Sequence, residues 1–216
     1  MNHQSLPIYH FQKIKSTNQT AWQLFQEGKK TPFVVTADEQ TAGKGQWGRQ
    51  WISSLGGLYL SLILTPEINV KQPSYLTISS VFGVTELLRA YQIPVQIKWL
   101  NDIFLNCKKL GGILIETHVK NQELKAVIIG IGLNWENFVP EVGITLKDYL
   151  NQSNLTPSLT QSSLQEELSN CKLPPTIMTL NDLKPIVING LLLGYQRYCE
   201  EGITAILPKY EARLLT

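Results

Sequence analysis

Cysteine is scarce in this chain, and the few cysteines present are scattered. The 216 residues include three, Cys107, Cys171 and Cys199, which is an odd number without a spacing that would ligate a metal. This pattern argues against a disulfide-stabilised secreted domain and against a cysteine-ligated zinc site. We therefore predict reduced thiols and a cytoplasmic location.

The sequence also lacks long apolar runs and an excess of charge of one sign. Its longest apolar runs, 58–64 and 127–133, are too short to span a bilayer. A net charge of +2 creates no strong field toward nucleic acid or an anionic membrane. Residues 1–7 do not resemble a signal peptide. We expect an intracellular protein without a DNA or membrane partner.

Hydrophobic periodicity and breaker residues predict a single α+β domain, because 216 residues suffice for one proper core. Strand-like segments follow one another in hairpin-like order and helices are intermittent, so we expect a mixed β-sheet with helices packed mainly on one side. Strands are predicted at 33–38, 58–64, 95–102, 103–109, 110–116 and 125–135. Helices are predicted from Ser16 to Gly28 and at 74–91, 185–200 and 206–214, with a short helix at 163–169 inside a polar loop from 151 to 175.

Finer predictions concern two of these helices. Ser16 followed by Gln19 predicts a capping box at the start of the first helix. Gly83, inside the helix predicted at 74–91, suggests close packing against a neighbour.

A glycine-rich stretch at 41–51 is the most informative segment of the chain. Its three glycines can bring backbone N–H groups close to an anion, and Lys44 and Arg49 add positive charge suited to phosphate or carboxylate. The glycines match G-x-G-x-x-G, but the segment that follows predicts a turn and a strand instead of a helix. A dinucleotide-binding loop is therefore excluded, and a different anion-binding loop is predicted.

Three further groups could carry chemistry. They are the Ser-Thr-Asn of 16–18, the polar segment 98–109, and the glycines Gly130 and Gly132 within a predicted strand. Each has an ordinary structural alternative. The Ser-Thr-Asn of 16–18 could serve simply to cap a helix. Surface lysines are usually solvated, and Lys98 with Asp102 could form a simple ion pair. Glycines in a strand commonly mark close approach of a ligand or another backbone.

Taken together and in order, these elements resemble the catalytic domain of biotin–protein ligases. The matching segments are S-T-N at 16–18, Q-T-A-G-K-G-Q-W-G-R-Q-W at 40–51, K-W-L-N-D at 98–102, K-L-G-G-I-L-I-E at 109–116 and G-I-G-L-N at 130–134. The resemblance covers residues 10–140 well and 185–215 loosely. It implies a biotin/lipoate protein ligase-like fold, similar to the catalytic domains of class II synthetases.

The resemblance also implies an activity. Members of the family use Mg²⁺ and ATP to convert biotin into biotinyl-5'-AMP, and then transfer biotin to one lysine of the biotin carboxyl carrier protein of acetyl-CoA carboxylase. The first step brings a carboxylate and a triphosphate together, and their repulsion is about 4 kcal/mol for unit charges at ~4 Å and an effective dielectric near 20. Cations at the site are needed to offset it.

Roles for individual residues follow from the same resemblance. Lys109 would be the principal cation, and Asp102 would be the base for the second step unless it only pairs with a nearby lysine. The implied catalytic residues are Lys109, Asp102, Lys44 and Arg49. The implied biotin-binding residues are Ser16, Thr17, Asn18, Gln40, Gly43, Trp51, Lys109, Gly112, Gly130 and Gly132. The implied nucleotide-binding residues are Lys44, Gly45, Gln46, Trp47, Gly48, Arg49, Lys98, Asn101 and Asn134. No protein ligand to a metal is implied.

The chain departs from the family pattern in several places. Arginines are usual where it has Lys44 and Gln46, and lysine lacks the bidentate fork of arginine while glutamine lacks charge. We therefore expect weaker retention of the adenylate. Leu100 replaces a usual proline. We see no winged helix before the domain and no small β-barrel domain after it, so operator binding is not expected.

Two alternative functions and the use of one surface remain open at this level. A lipoate ligase or octanoyltransferase would share the fold, and a non-catalytic biotin-binding relative would share part of the site. An exposed strand edge could form a homodimer or dock the carrier protein.

Overall fold

The computed structural model describes residues 6–66, 73–120, 123–155 and 177–215. Seven strands form one sheet: β1 (Ile8–Ile14), β2 (Phe33–Gln40), β3 (Leu58–Leu64), β4 (Gln96–Lys98), β5 (Asp102–Leu105), β6 (Lys108–Lys120) and β7 (Glu123–Leu133). Five α-helices accompany it within these ranges: α1 (Thr17–Gln26), α2 (Pro73–Ala90), α3 (Leu146–Leu155), α4 (Leu180–Glu201) and α5 (Ile203–Glu211).

The sheet is mixed, as the sequence predicts. Its strand order is β1-β2-β3-β7-β6-β5-β4. β1 runs parallel to β2, and every other neighbouring pair is antiparallel. β5 and β6 form the predicted hairpin.

The two faces of the sheet are covered by different elements. On one face, Leu60 and Leu62 of β3 belong to the large core that includes residues of α2 and α4. On the other face, Ile63 belongs to a smaller cluster with Ala21 of α1. β3 is therefore buried along its whole length, which explains its continuous apolar sequence.

The helix pair α2 and α4 packs closely through glycines, as Gly83 suggests. A Cβ atom on Gly83 would lie 2.2 Å from the carbonyl oxygen of Gly190, and one on Gly194 would lie 2.1 Å from that of Ser79. The backbones of the two helices are in direct contact at this crossing.

Several local predictions are wrong in detail. Ser16 occupies the N-cap of α1, but its side chain makes no capping hydrogen bond. The N–H of Thr17 is instead accepted by Oε1 of Gln40, a contact across 23 positions that no local pattern contains. Residues 99–101 form a turn between β4 and β5 and do not continue a strand.

Other differences concern element bounds. β1 and α3 are not among the predicted elements, and α3 occupies the first part of the predicted polar loop at 151–155. α4 begins at Leu180 with a capping box formed by Thr179 and Asp182, ahead of the predicted start at Pro185. The short helix predicted at 163–169 lies outside the described residues. Within the described residues, no helix combines the length and apolarity that crossing a membrane requires.

Candidate active site

A cavity of about 320 Å³ lies beside the N-terminus of α1. Two glycines lie opposite one another on this side of the sheet, Gly112 of β6 and Gly132 of β7, and Gly130 of β7 lies opposite Leu114. Ser61 of β3 is in turn the partner of Gly130. Since glycine carries no side chain, bare backbone forms this part of the cavity floor, which we call the glycine floor.

Most residues implied by the sequence motifs line this one cavity. They are Ser16, Thr17, Asn18, Gln40, Lys44, Gly45, Gln46, Trp47, Arg49, Trp51, Lys98, Asn101, Asp102, Lys109, Gly112, Gly130 and Gly132. Four of them are cations and one is a carboxylate, so the cavity has an excess of positive charge suited to anionic ligands. Gln50, Trp99, Ile113, Leu114 and Ile131 also line it and are not among the predicted site residues.

Three of the predicted residues do not line the cavity. A Cβ atom on Gly43 would lie 2.5 Å from the carbonyl oxygen of Trp51, so this glycine allows the base of the glycine loop to close. Gly48, at φ +74°, shapes the loop. The buried Asn134 donates from Nδ2 to the carbonyl oxygen of Lys109 at 3.3 Å and thereby supports the strand that carries Lys109.

The glycine loop is a narrow hairpin held by its own backbone. The N–H of Trp51 donates to the carbonyl of Gly43 at 2.9 Å, and that of Gly45 donates to the carbonyl of Arg49 at 2.7 Å. At its tip, Trp47 has φ +58° and is 90% exposed. An exposed indole on left-handed backbone is an uncommon arrangement for a bulky residue.

Lys109 and Asp102 form an ion pair inside the cavity. Their Nζ and Oδ1 atoms are 2.8 Å apart, and the two side chains are 32% and 24% exposed. Gly112 makes room for the pair, because a Cβ atom there would lie 3.0 Å from Oδ1 of Asp102. The Nζ atom of Lys109 also lies 5.3 Å from the centroid of the Trp51 ring.

Lys98 is not the partner of Asp102, although the two residues are opposite one another in the β4–β5 ladder. Its Nζ atom lies 5.2 Å from the centroid of the Phe104 ring. The simple Lys98–Asp102 ion pair considered from the sequence is therefore not formed.

The turn between β4 and β5 is fixed from two sides. Nδ2 of Asn101 donates to the carbonyl oxygen of Ile113 at 2.7 Å, which ties the turn to β6. The hydroxyl of Tyr210 in α5 donates to the carbonyl oxygen of Leu100 at 3.0 Å. Burial raises the pKa of Tyr210, so this hydroxyl keeps its proton as a donor.

A hydrogen-bonded network occupies the end of the cavity near α1. Oε1 of Gln40 is 2.7 Å from the N atom of Thr17, and Nε2 of Gln40 donates to Oγ of Ser53 at 2.8 Å. Oγ of Ser61 is 2.7 Å from Oγ1 of Thr17 and 2.6 Å from Oδ1 of Asn18. This end of the cavity is suited to a polar, uncharged group.

Asn18 and Trp51 lie directly against the glycine floor. A Cβ atom on Gly130 would be 2.2 Å from Oδ1 of Asn18, and one on Gly132 would be 2.3 Å from Nε1 of Trp51. The close approach expected at these two glycines is present. Nε1 of Trp51 is buried without a hydrogen-bond partner in the part of the chain that the structure describes.

Two further titratable groups, Tyr59 of β3 and His118 of β6, have shifted pKa values, and neither lines the cavity. Burial raises the pKa of Tyr59, with a further contribution from the charge of Glu39, and its hydroxyl donates to the carbonyl oxygen of Ser54. Burial lowers the pKa of His118, and the nearby charge of Glu116 acts in the opposite direction. Among the described residues, no cluster of His, Cys, Asp and Glu side chains could hold a metal ion.

Comparison with known proteins identifies a family with the same sequence pattern and fold. Residues 10–134 match the model of the biotin/lipoate A/B protein ligase family. The bifunctional ligase/repressor BirA of Bacillus spizizenii is 38% identical over 152 residues, which are 69% of this chain and 45% of that protein. The biotin–[acetyl-CoA-carboxylase] ligase of Paracoccus denitrificans is 34% identical over 125 residues, covering 56% of this chain and 52% of that protein.

Solved structures agree on the fold. The biotin protein ligase of Aquifex aeolicus in complex with biotin and ATP aligns with a TM-score of 0.69 at 22% identity, covering 97% of this chain and 78% of that chain. The Leishmania major biotin protein ligase in complex with biotinyl-5-AMP aligns with a TM-score of 0.70 at 21% identity, covering 97% of this chain and 81% of that one.

These matches differ in how much of each protein they cover. The chain spans about half the length of the curated relatives or less. The family model, in contrast, matches more than half of the chain itself. The chain therefore belongs to the biotin/lipoate A/B protein ligase family.

Proposed function

We propose that the protein is an ATP-dependent biotin–protein ligase. One observation carries this proposal: the Lys109–Asp102 pair, the cationic glycine loop and the polar network around Gln40 all line a single cavity. The names of the relatives support it, since one is a biotin–[acetyl-CoA-carboxylase] ligase and two similar structures hold biotin with ATP and biotinyl-5-AMP.

In the first step, the biotin carboxylate attacks the α-phosphorus of ATP. A bond forms between the carboxylate oxygen and phosphorus, and the bond from phosphorus to the bridging oxygen breaks, so pyrophosphate leaves with that electron pair. Lys109 offsets the charge where the two anions meet, and Lys44, Arg49 and Lys98 add positive charge at the same cavity. Mg²⁺ would be held mainly by the triphosphate, since the lining contains a single carboxylate, and it would supply further positive charge there.

In the second step, a lysine amine of the carrier protein attacks the acyl carbon. The ammonium must first lose its proton, and Asp102 accepts it. The new C–N bond replaces the C–O bond to phosphate, and AMP leaves. Lys109, 2.8 Å from Asp102, remains beside the phosphate as its negative charge increases. We propose the biotin carboxyl carrier protein of acetyl-CoA carboxylase as the acceptor and the cytoplasm as the location.

The family includes lipoate ligases, so a lipoate ligase or octanoyltransferase is the second candidate. The test is pyrophosphate release with Mg-ATP and biotin, lipoate or octanoate, together with the thermal stabilisation that each acid produces. Release with biotin alone supports the proposal. Release with lipoate or octanoate but not biotin contradicts it. Stabilisation by biotin without release from any acid indicates a non-catalytic binder.

A further inference from the structure

Ser61 lies in the middle of a strand whose other residues are aliphatic or aromatic, and it is fully buried. Its Oγ atom contacts two residues of the first turn of α1, Thr17 and Asn18, at 2.7 and 2.6 Å. A serine hydroxyl has one proton, so it donates to one of these two partners and accepts from the other. Which partner receives the proton determines what Thr17 can offer to a ligand in the cavity.

The orientation of Asn18 decides this point. Its Nδ2 atom lies 2.7 Å from Oε2 of Glu116 in β6. A carboxylate only accepts hydrogen bonds, so the amide presents NH₂ to Glu116 and its oxygen to Ser61. The reversed amide would place two acceptor oxygens against each other. Because Oδ1 of Asn18 only accepts, the proton of Ser61 is committed to it.

The proton of Thr17 is then committed as well. If Thr17 turned its proton toward the cavity, its oxygen and that of Ser61 would face each other at 2.7 Å with no proton between them. Thr17 must therefore donate to Ser61, and the same argument excludes donation to Oε1 of Gln40, the more distant acceptor at 3.2 Å. Its hydroxyl proton is used inside the protein, and Oγ1 offers lone pairs to a ligand.

We propose that Glu116, Asn18 and Ser61 are positioning residues that make Thr17 an obligate hydrogen-bond acceptor in the cavity. Glu116 fixes the orientation of the Asn18 amide, Asn18 fixes the direction of the Ser61 proton, and Ser61 fixes that of the Thr17 proton. Glu116, at the outer end of this network, is not among the residues that line the cavity. The ligand group that fits is a ring N–H donor. Under the proposed function, on which this inference rests, that group is one N–H of the cyclic urea of biotin. The dithiolane ring of lipoate has no such donor.

The test compares biotin with its two cyclic carbamate analogues, in each of which one ring N–H is replaced by oxygen. Binding of all three is measured by titration calorimetry to the wild type, to Ser61→Ala, and to Ser80→Ala. Ser80 is the matched control, because it is a fully buried serine in α2 whose Oγ has no hydrogen-bond partner among the described residues.

For the wild type and for Ser80→Ala, we expect one carbamate isomer to bind at least about tenfold more weakly than biotin, because two acceptors face each other. In Ser61→Ala, the proton of Thr17 is free to turn toward the ring oxygen. The ratio of the Kd of that carbamate to the Kd of biotin therefore falls several-fold, even though biotin itself binds more weakly. A general loss of packing would weaken all three ligands together and leave the ratio unchanged.

A second pair of variants addresses the outer end of the network. Glu116→Gln can still accept from Asn18 and should keep the wild-type ratio, whereas Glu116→Met removes the acceptor and should lower it. If Ser61→Ala and Glu116→Met both keep the wild-type ratio of carbamate Kd to biotin Kd, this inference is overturned while the proposed function stands. A wild type that does not bind biotin overturns the proposed function first.

Discussion

At the scale of single residues, the contact between Asp102 and Lys109 admits two interpretations. Asp102 could serve only to orient the lysine, or it could also accept the proton of the attacking amine. The 2.8 Å distance places it where both roles are open. The two roles differ in which half-reaction depends on the carboxylate.

We predict that Asp102→Asn reduces transfer from preformed biotinyl-AMP to the carrier by about 100-fold, as expected for loss of a general base. Adenylation should fall less than about tenfold, because the first step needs no proton transfer and asparagine can still accept from Lys109. Single-turnover measurement of each half-reaction separates them. Glu136→Gln, which removes an exposed ion pair with Lys147 outside the cavity lining, is the control. Equal losses in both half-reactions would assign Asp102 an orienting role only.

A second prediction at this scale concerns Gln46, which lines the cavity from the glycine loop. Gln46→Arg adds a cation with a bidentate fork suited to a phosphate, so it should slow the release of biotinyl-AMP by about tenfold. The measurement is the rate at which labelled adenylate leaves the protein after dilution. Gln26→Arg at the exposed end of α1 adds the same charge elsewhere. If biotinyl-AMP leaves the wild type no faster than it leaves Gln46→Arg, this account is contradicted.

At the scale of secondary-structure elements, the crossing of α2 and α4 depends on the absence of side chains. Replacing a helical glycine by alanine normally stabilises a helix by up to about 1 kcal/mol. We predict the opposite sign for Gly194→Ala, a destabilisation of about 1–3 kcal/mol, because its Cβ would lie 2.1 Å from a backbone oxygen of α2.

Denaturant unfolding of Gly194→Ala and of Asn189→Ala measures this difference. Asn189 lies on the exposed side of the same helix, where alanine should be neutral or slightly stabilising. If both variants are equally stable, the helices separate at no cost and the crossing is not as tight as the contact distances indicate.

The contact between α1 and β6 predicts a dependence on pH. The rings of Trp22 and His118 stack with centroids 3.4 Å apart, and burial lowers the pKa of the histidine. The unfolded chain then binds a proton more readily than the folded one, so this contact loses stability as the pH falls below about 6.5. The free energy of unfolding measured between pH 7.5 and 5 should decline less in His118→Gln than in wild type. An identical decline would exclude His118 as the cause.

The sequence predicts the elements whose pattern is local. β3 has a continuous apolar run, and α2 has apolar residues at helical spacing, so both lie close to their predicted bounds. β1 is not predicted because it is an edge strand without a fully buried residue, and its apolar residues Ile8, Tyr9, Phe11 and Ile14 do not alternate strictly with polar ones. The predicted capping box of α1 is wrong because the acceptor of the Thr17 N–H is Gln40, which lies far away in the sequence on β2.

The same limit applies to the site. Residues on glycine-rich or charged motifs could be found, and most of them share one cavity. Ser61 and Glu116 could not, since each acts through a contact that only the folded sheet creates, although a lone serine in an apolar strand is a usable signal. Their roles, like those of the cavity-lining residues, stay predictions until the variants are measured.

At the scale of the whole molecule, one face of the sheet supports the main hydrophobic core and the other face carries the cavity. The large core with α2, α4 and α5 occupies one face. The face next to α1 has a smaller core and, beside it, the glycine floor of the cavity. The strands and the glycine loop that carry the cations are joined to this one sheet, so the fold itself holds the cations beside the place where two anions would meet.

The central claim is that Lys109 enables this cavity to activate biotin for transfer. The most direct measurement is streptavidin-detected transfer of biotin, with Mg-ATP, to a biotin carboxyl carrier protein by wild type, Lys109→Ala and Lys108→Ala. Lys108 is the adjacent, exposed lysine of the same strand. We predict that Lys109→Ala loses at least about 100-fold in rate, as expected for removal of a preorganised charge, while Lys108→Ala stays close to wild type. Equal transfer by wild type and Lys109→Ala would contradict the mechanism, and no transfer by wild type would contradict the proposed function.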